Sequence, residues 1–294
     1  MTDTAKLNPT RPFYWLIRRE AWENRYLFIT PLTVAAVMLF GFLIAVGKVS
    51  RHVHFTLTGD SASQDALLAP YNFFSALVML VVTLVSLFYS LGALYNERRD
   101  RSILFWKSLP ISDRTTVLSK ITIPLVVMPG FALALILVLH LAMLLINTVS
   151  LSSQGQPIMP LWGDIASPGH WLTLAYLLGA MALWHAPLYA WLLLVSAWAR
   201  RTPFLWAFLP PLGLCLLEKI VFDTGHLIAA LGDRVTGGYA AAFGPGADPR
   251  SGSSALSSPD VGRYLATPGL WIGLLVAAGF LALAVWQRRN REPI

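Results

Sequence analysis

The sequence predicts an all-α integral membrane protein with six transmembrane helices and an interfacial amphipathic helix ahead of the first. Three observations carry that prediction. Of the 294 residues, 56% are hydrophobic and only 13% charged, with mean hydropathy +0.60, whereas a soluble domain carries about 25% charged residues. Six apolar runs reach the roughly 20 residues needed to cross a bilayer: 27–47, 72–95, 119–147, 171–198, 203–222 and 268–286. The basic residues then alternate between loops. Five precede the first span, six follow the second, two follow the fourth and three follow the sixth, against five in all the intervening loops. The positive-inside rule places both termini in the cytoplasm. The net charge of +7 is thereby read as topology, with no nucleic-acid partner expected.

Taken in order, residues 11–25 mix Phe13, Leu16, Ile17 and Trp22 with Arg18, Arg19 and Arg25. That pattern suits a helix lying on the inner leaflet. The first apolar run follows a long basic lead and has no small-x-small cleavage site, so it reads as a retained span. The second span sets Asn72, Ser75, Met79, Thr83, Ser86 and Ser90 at intervals of three or four, on one helical face. Ser75, Thr83, Ser86 and Ser90 are candidate lining for a substrate passage; small hydroxyl residues also serve plain helix packing. The third and fourth spans contain His140 and His185, and Pro187 interrupts the fourth. Intramembrane ionisable residues are functional candidates, and a histidine pair is one way to ligate haem. The fifth span contains Pro210 and Pro211 and ends at Glu218 and Lys219. Glu218 either faces a cavity or simply marks the end of the span. Residues 223–267 form an outer loop, helical at first and then rich in Gly, Pro and Ser. The sixth span repeats Gly269, Gly273 and Ala277, the spacing of close helix packing.

Several chemistries are missing. The nearest approach to a phosphate-cradling P-loop, Gly41 to Val49, has one residue too many between its glycines and no Ser or Thr for magnesium. No GxSxG or HExxH occurs. His52 and His54 lack a third ligand, so no metal site is expected. The single Cys215 excludes an intrachain disulfide framework. The chain is expected to be neither an enzyme nor the holder of a cofactor.

The loop between the second and third spans is distinctive. "YNERRDRSILFWKSLPISDRTTVLSK", Tyr95 to Lys120, opens with charges, turns amphipathic and breaks at Pro110, after which Ser112 or Asp113 can cap a helix. Placed after the second of six spans, it resembles the corresponding stretch of the permease subunit of bacterial ABC exporters of the type-2 class. The resemblance implies a cytoplasmic coupling helix over 97–113 that docks on a separate ABC ATPase. Glu97, Arg98, Arg99, Asp100 and Arg101 would be its polar contacts. Ile103, Leu104, Phe105 and Trp106 would be its apolar ridge. It further implies two permease copies and two ATPase copies in a bacterial inner membrane, with ATP and Mg held by the ATPase. Two rival readings are an ion-coupled secondary transporter, which needs intramembrane charges and often internal repeats, and a haem-binding redox subunit resting on His140 and His185.

Overall fold

The computed structural model describes residues 10–52, 61–100, 102, 111–155, 159–244 and 259–290. Among these residues every regular element is helical. α1, Thr10–Glu23, turns at Asn24 and Arg25 into α2, Tyr26–His52. α3, Ser61–Gly92, is followed by the short α4, Tyr95–Arg99. α5, Asp113–Thr122, runs through a π-helical turn, Ile123–Val127, into α6, Met128–Ser153. Then come α7, Met159–Ile165, α8, Pro168–Trp184, α9, Ala186–Trp198, and α10, Pro203–Phe222. α11, His226–Thr236, α12, Gly238–Phe243, and α13, Val261–Ala266, precede the last helix, α14, Pro268–Asn290.

Among the described residues, five helical stretches are long and apolar enough to cross a membrane, and α8 with α9 make a sixth if the pair, bent by 45°, is one span. The sequence places one span over 171–198, interrupted by Pro187. Pro187 explains the break. It has no N–H to donate to the preceding turn, and its ring crowds that turn's carbonyl. His185 becomes both the last cap of α8 and the first of α9. Prolines also account for the π-helical turn, which the sequence did not reveal. Pro124 and Pro129 each remove a backbone donor, and the ladder slips by one residue between them. At α5, Ser112 rather than Asp113 is the N-cap, its hydroxyl accepting from the Thr115 N–H at 3.1 Å. By contrast, Pro210 and Pro211 leave α10 continuous.

α9 packs along α14 and α3, and α2 packs against α6 and α3. The main core runs through Leu27, Val78, Val85, Ile136, Met143 and Leu193. In α14, Ala277 meets Ala186 and Ala190 of α9, the close helix contact its spacing suggested. Gly273 plays a different part, described below. α10 is the exception to this packing: Leu205, Leu209, Leu212, Leu216 and Ile220 all stand exposed. α1, α4, α5 and the last turn of α14 gather at one end of the bundle, called here the near end; α11, α12 and α13 gather toward the other, the far end. On α1, Leu16 and Glu20 point inward. Arg18 lies over exposed Trp15 and Trp22, an aromatic and cationic outer face.

Candidate functional site: a membrane cavity and a buried charge cluster

α3 joins two features. Its middle forms one wall of a cavity of about 450 Å³, which α8, α9, α11 and α12 complete. Asn72, Ser75, Met79 and Thr83 line it, together with Leu80, Leu84 and Leu87. Across from them stand Leu174, Leu177 and Met181 of α8, His185 at the bend and Leu188 of α9. Val235, Thr236 and Tyr239 cover the far side.

The polar stripe read from the sequence therefore divides. Its first part, Ser75 and Thr83, reaches the cavity. Ser86 and Ser90 do not: both are buried, and their hydroxyls donate to the carbonyls of Val82 and Ser86 one turn back. A serine with no outside partner satisfies itself in this way. Glu218 is also absent from the cavity wall. Its carboxylate accepts from the Thr224 hydroxyl and from the N–H groups of His226 and Leu227, so it caps α11 from the preceding helix. Lys219 pairs with Asp223 at 2.7 Å.

The histidines pair differently from the expectation. His140 packs on His170, with ring centroids 5.5 Å apart, and on Tyr71 and Trp171. Its Nε2 meets Ser75 Oγ at 2.9 Å and the Tyr71 carbonyl at 3.2 Å. His185 instead stands against Tyr189, its Nε2 on the Val235 carbonyl at 3.4 Å. His140 thus backs Ser75 of α3, while His185 stands on the cavity wall at the α8–α9 bend. No group of three or more His, Cys, Asp or Glu that could hold a metal ion occurs among the described residues.

The second feature is a buried charge cluster at the near end. Glu97 is 6% exposed. Its carboxylate faces Arg288 Nη1 at 2.6 Å, Lys120 Nζ at 3.1 Å and Arg19 Nη2 at 3.6 Å. Lys120 also reaches Glu20 Oε1 at 2.7 Å, Tyr89 donates to Glu20 Oε2 at 2.8 Å, and Arg288 Nε donates to Asp113 at 2.9 Å. Four helices, α1, α4, α5 and α14, are tied in one knot with the end of α3. Burial opposes the charge on Arg19, but its hydrogen bond to Glu23 and the nearby Glu20 and Glu97 outweigh that and raise its pKa. Arg98 lies beside the knot. It donates to the carbonyls of Ser196 and Ala199 and so satisfies the C-terminal end of α9. Ser196 in return accepts from the N–H groups of Leu94 and Tyr95.

Of the residues expected to dock a partner, then, Glu97 and Arg98 turn inward, whereas Arg99 and Asp100 are exposed and pair with each other. Arg101, Ile103, Leu104, Phe105 and Trp106 lie outside the described residues. A polar notch of about 380 Å³, lined by Arg19, Glu23, Asn96 and Asp100 among others, opens between α1 and α4. Sequence reasoning missed Glu20, Tyr89, Asp113 and Ser196. Lys120 and Arg288 were read only as topology markers. The one available signal was positional: acids and bases near the ends of several different spans, of which Glu20 and Lys120 have no partner of opposite sign one helical turn away.

A family model described as "Membrane protein of 12 TMs" matches residues 66–155, less than half of the chain. The match runs from the cavity wall through the charge cluster to the end of α6. No curated protein and no solved structure matches the chain. With its apolar helices, the match makes this a multi-span, multi-pass membrane protein.

Proposed function

We propose that this chain is the permease subunit of an ATP-driven exporter resembling the type-2 ABC class. The observation that carries the reading is the double engagement of α3. One part of the helix is a cavity wall, and its near end leads straight into α4, where Glu97 and Arg98 are clamped to four other helices. A force applied to the segment after α4 reaches the cavity wall through packed helix and buried ion pairs, without a flexible link among the described residues. The near end is then the cytoplasmic one, the membrane is a bacterial inner membrane, and both termini are cytoplasmic. The exposed Arg99 and Asp100 begin the docking surface, which continues into 101–106. The chain itself performs no catalytic step and binds no cofactor; ATP and Mg belong to two copies of a partner ATPase. A second copy of the chain completes the pathway, with membrane lipids around both.

The test is co-expression with candidate ABC ATPases from the same genome, followed by reconstitution in proteoliposomes. We expect a stable complex whose ATP hydrolysis changes when the permease is present. Reversing Arg99 and Asp100 together (Arg99→Glu, Asp100→Arg) should reduce the ATPase retained by about tenfold, the effect of disrupting a charged docking contact. ATP hydrolysis identical with and without the permease would overturn the reading. Ion-gradient-driven transport by the chain alone would replace it with the secondary-transporter alternative.

A further inference from the structure

The chemistry of the cavity wall constrains what it can hold. Among the described residues no Asp, Glu, Lys or Arg lines it, and the imidazole on its wall, His185, is engaged by the Val235 carbonyl. Arg234 is the nearest cation along α11, but its guanidinium is turned elsewhere: it donates to the Gly269 and Trp184 carbonyls and lies 4.5 Å over the Trp184 ring. Gly273 leaves the room for it, since a Cβ there would come within 2.6 Å of the guanidinium carbon. A charged ligand group would therefore enter without a counter-ion, which is costly in an apolar site.

The wall is also graded along its length. From Asn72 to Leu87, α3 rises by about 22 Å. Two polar groups on α3 stand at one end: Asn72, then Ser75, whose hydroxyl is backed by His140 Nε2. Thr83 follows, sharing a hydrogen bond with Tyr189. Beyond it toward the near end, Leu84, Leu87 and Leu188 leave only hydrocarbon. The volume of about 450 Å³ falls within the range of small-ligand sites. An elongated, apolar, uncharged slot with hydroxyl and amide groups at one end is complementary to a molecule with one tail and a small neutral head.

We propose that the cavity takes an uncharged single-tailed amphiphile, held with its polar head toward Asn72 and Ser75 and its tail toward Leu87. This assignment rests on the permease reading for its biological meaning, but it is a statement about binding and needs no ATPase. Gly238 adds a structural point. A Cβ there would meet Met181 Sδ at 2.7 Å and Trp184 at 3.0 Å, so α12 is pressed directly onto α8 and closes this side of the slot.

The full chain in nanodiscs should be exposed to three photoreactive probes that share one diazirine-bearing hexadecyl tail and differ in the head: an alcohol, a carboxylate and a trimethylammonium. Labelled peptides are then mapped by mass spectrometry. The alcohol is expected to label 72–87 and 174–188 saturably. The two charged probes should label those peptides at least about tenfold less, matching the penalty for an uncompensated charge. All three should label the exposed face of α10 alike, as lipid contact. Ala76 also lines the slot on α3, so Ala76→Phe fills it and should abolish the specific labelling while leaving that of α10 unchanged. Ser75→Ala serves as a milder variant should Ala76→Phe not fold; it should weaken the alcohol and leave a head-less hexadecane probe untouched. Equal labelling of the slot by a charged probe, or alcohol labelling indifferent to both substitutions, would overturn the assignment. Absence of ATP-dependent transport by the unsubstituted chain with its ATPase, with slot labelling intact, would count against the permease reading alone.

Discussion

At the scale of single residues, the near-end cluster depends most on Lys120. Its ammonium is 2% exposed and is shared by Glu20 and Glu97. Removing it takes the ammonium from the buried Glu20 carboxylate, while Glu97 keeps Arg288 and Arg19, and breaking a buried pair from one side costs about 3–5 kcal/mol. Lys120→Met should therefore lower unfolding stability in detergent by roughly that amount. Adding Glu20→Gln should recover part of the loss, because it removes the carboxylate left without its ammonium. A double variant as unstable as the sum of the singles would show that the pair does not interact. A second residue-scale prediction concerns pH. Tyr264 of α13 donates to the Ala180 carbonyl at 2.6 Å. Burial, and secondarily Tyr176, push its pKa up to about 12. The folded value lies above the ordinary 10.0. The stability this contributes is fully present below pH 10 and is lost as pH rises through 12. Tyrosinate absorbance should show one late-titrating tyrosine fewer in Tyr264→Phe, and the alkaline loss of far-end packing should flatten in that variant.

At the scale of elements, the far-end cover depends on a helix-to-helix wedge. Gly273 of α14 accepts the Arg234 guanidinium, which in turn pins α11 to α8 and α14. Gly273→Ala would displace that guanidinium from its carbonyl partners. We expect a destabilisation of about 1–3 kcal/mol, the usual cost of overpacking, and faster hydrogen exchange over 226–236. Exchange rates unchanged in Gly273→Ala would show that the wedge does not hold α11 in place. The same glycine shows what the sequence could and could not disclose. The spacing of Gly269, Gly273 and Ala277 announces a close approach, and Ala277 does meet α9. It does not say what approaches Gly273, because an arginine from a loop helix leaves no periodic trace in α14. The bend at His185 was partly visible, since Pro187 has to disturb the ladder. The angle was not, because it is set by the packing of α9 on α14 and α3.

At the scale of the whole molecule, what the sequence showed is what bilayer solvation imposes locally. Apolar length and the distribution of Lys and Arg are properties of consecutive residues, so the all-α membrane architecture was legible without any tertiary contact. The site was legible only where one helix carries it. Ser75 and Thr83 share a face of α3 and were found, but Leu174, Leu177 and Val235 complete the cavity from distant elements. The charge cluster was hidden for the same reason: Glu97 and Arg288 are 191 positions apart. That long link is also where coupling can be tested without disturbing the cavity. Arg288 grips Glu97 of α4 and Asp113 of α5 through two different nitrogens. Lysine keeps the charge but cannot form that fork. Arg288→Lys should therefore keep the fold within about 1.5–3 kcal/mol of stability, the scale of one charged hydrogen bond. If α3 and α4 act as a lever, the neutral probe will still label 72–87 in this variant, while ATP-driven transport in proteoliposomes falls by about tenfold, the loss expected from a weakened coupling contact. Loss of labelling together with transport would instead make Arg288 a support of the cavity. Transport unaffected by Arg288→Lys would show that movement at the near end reaches the cavity by another path, with the long C-terminal helix merely anchored there.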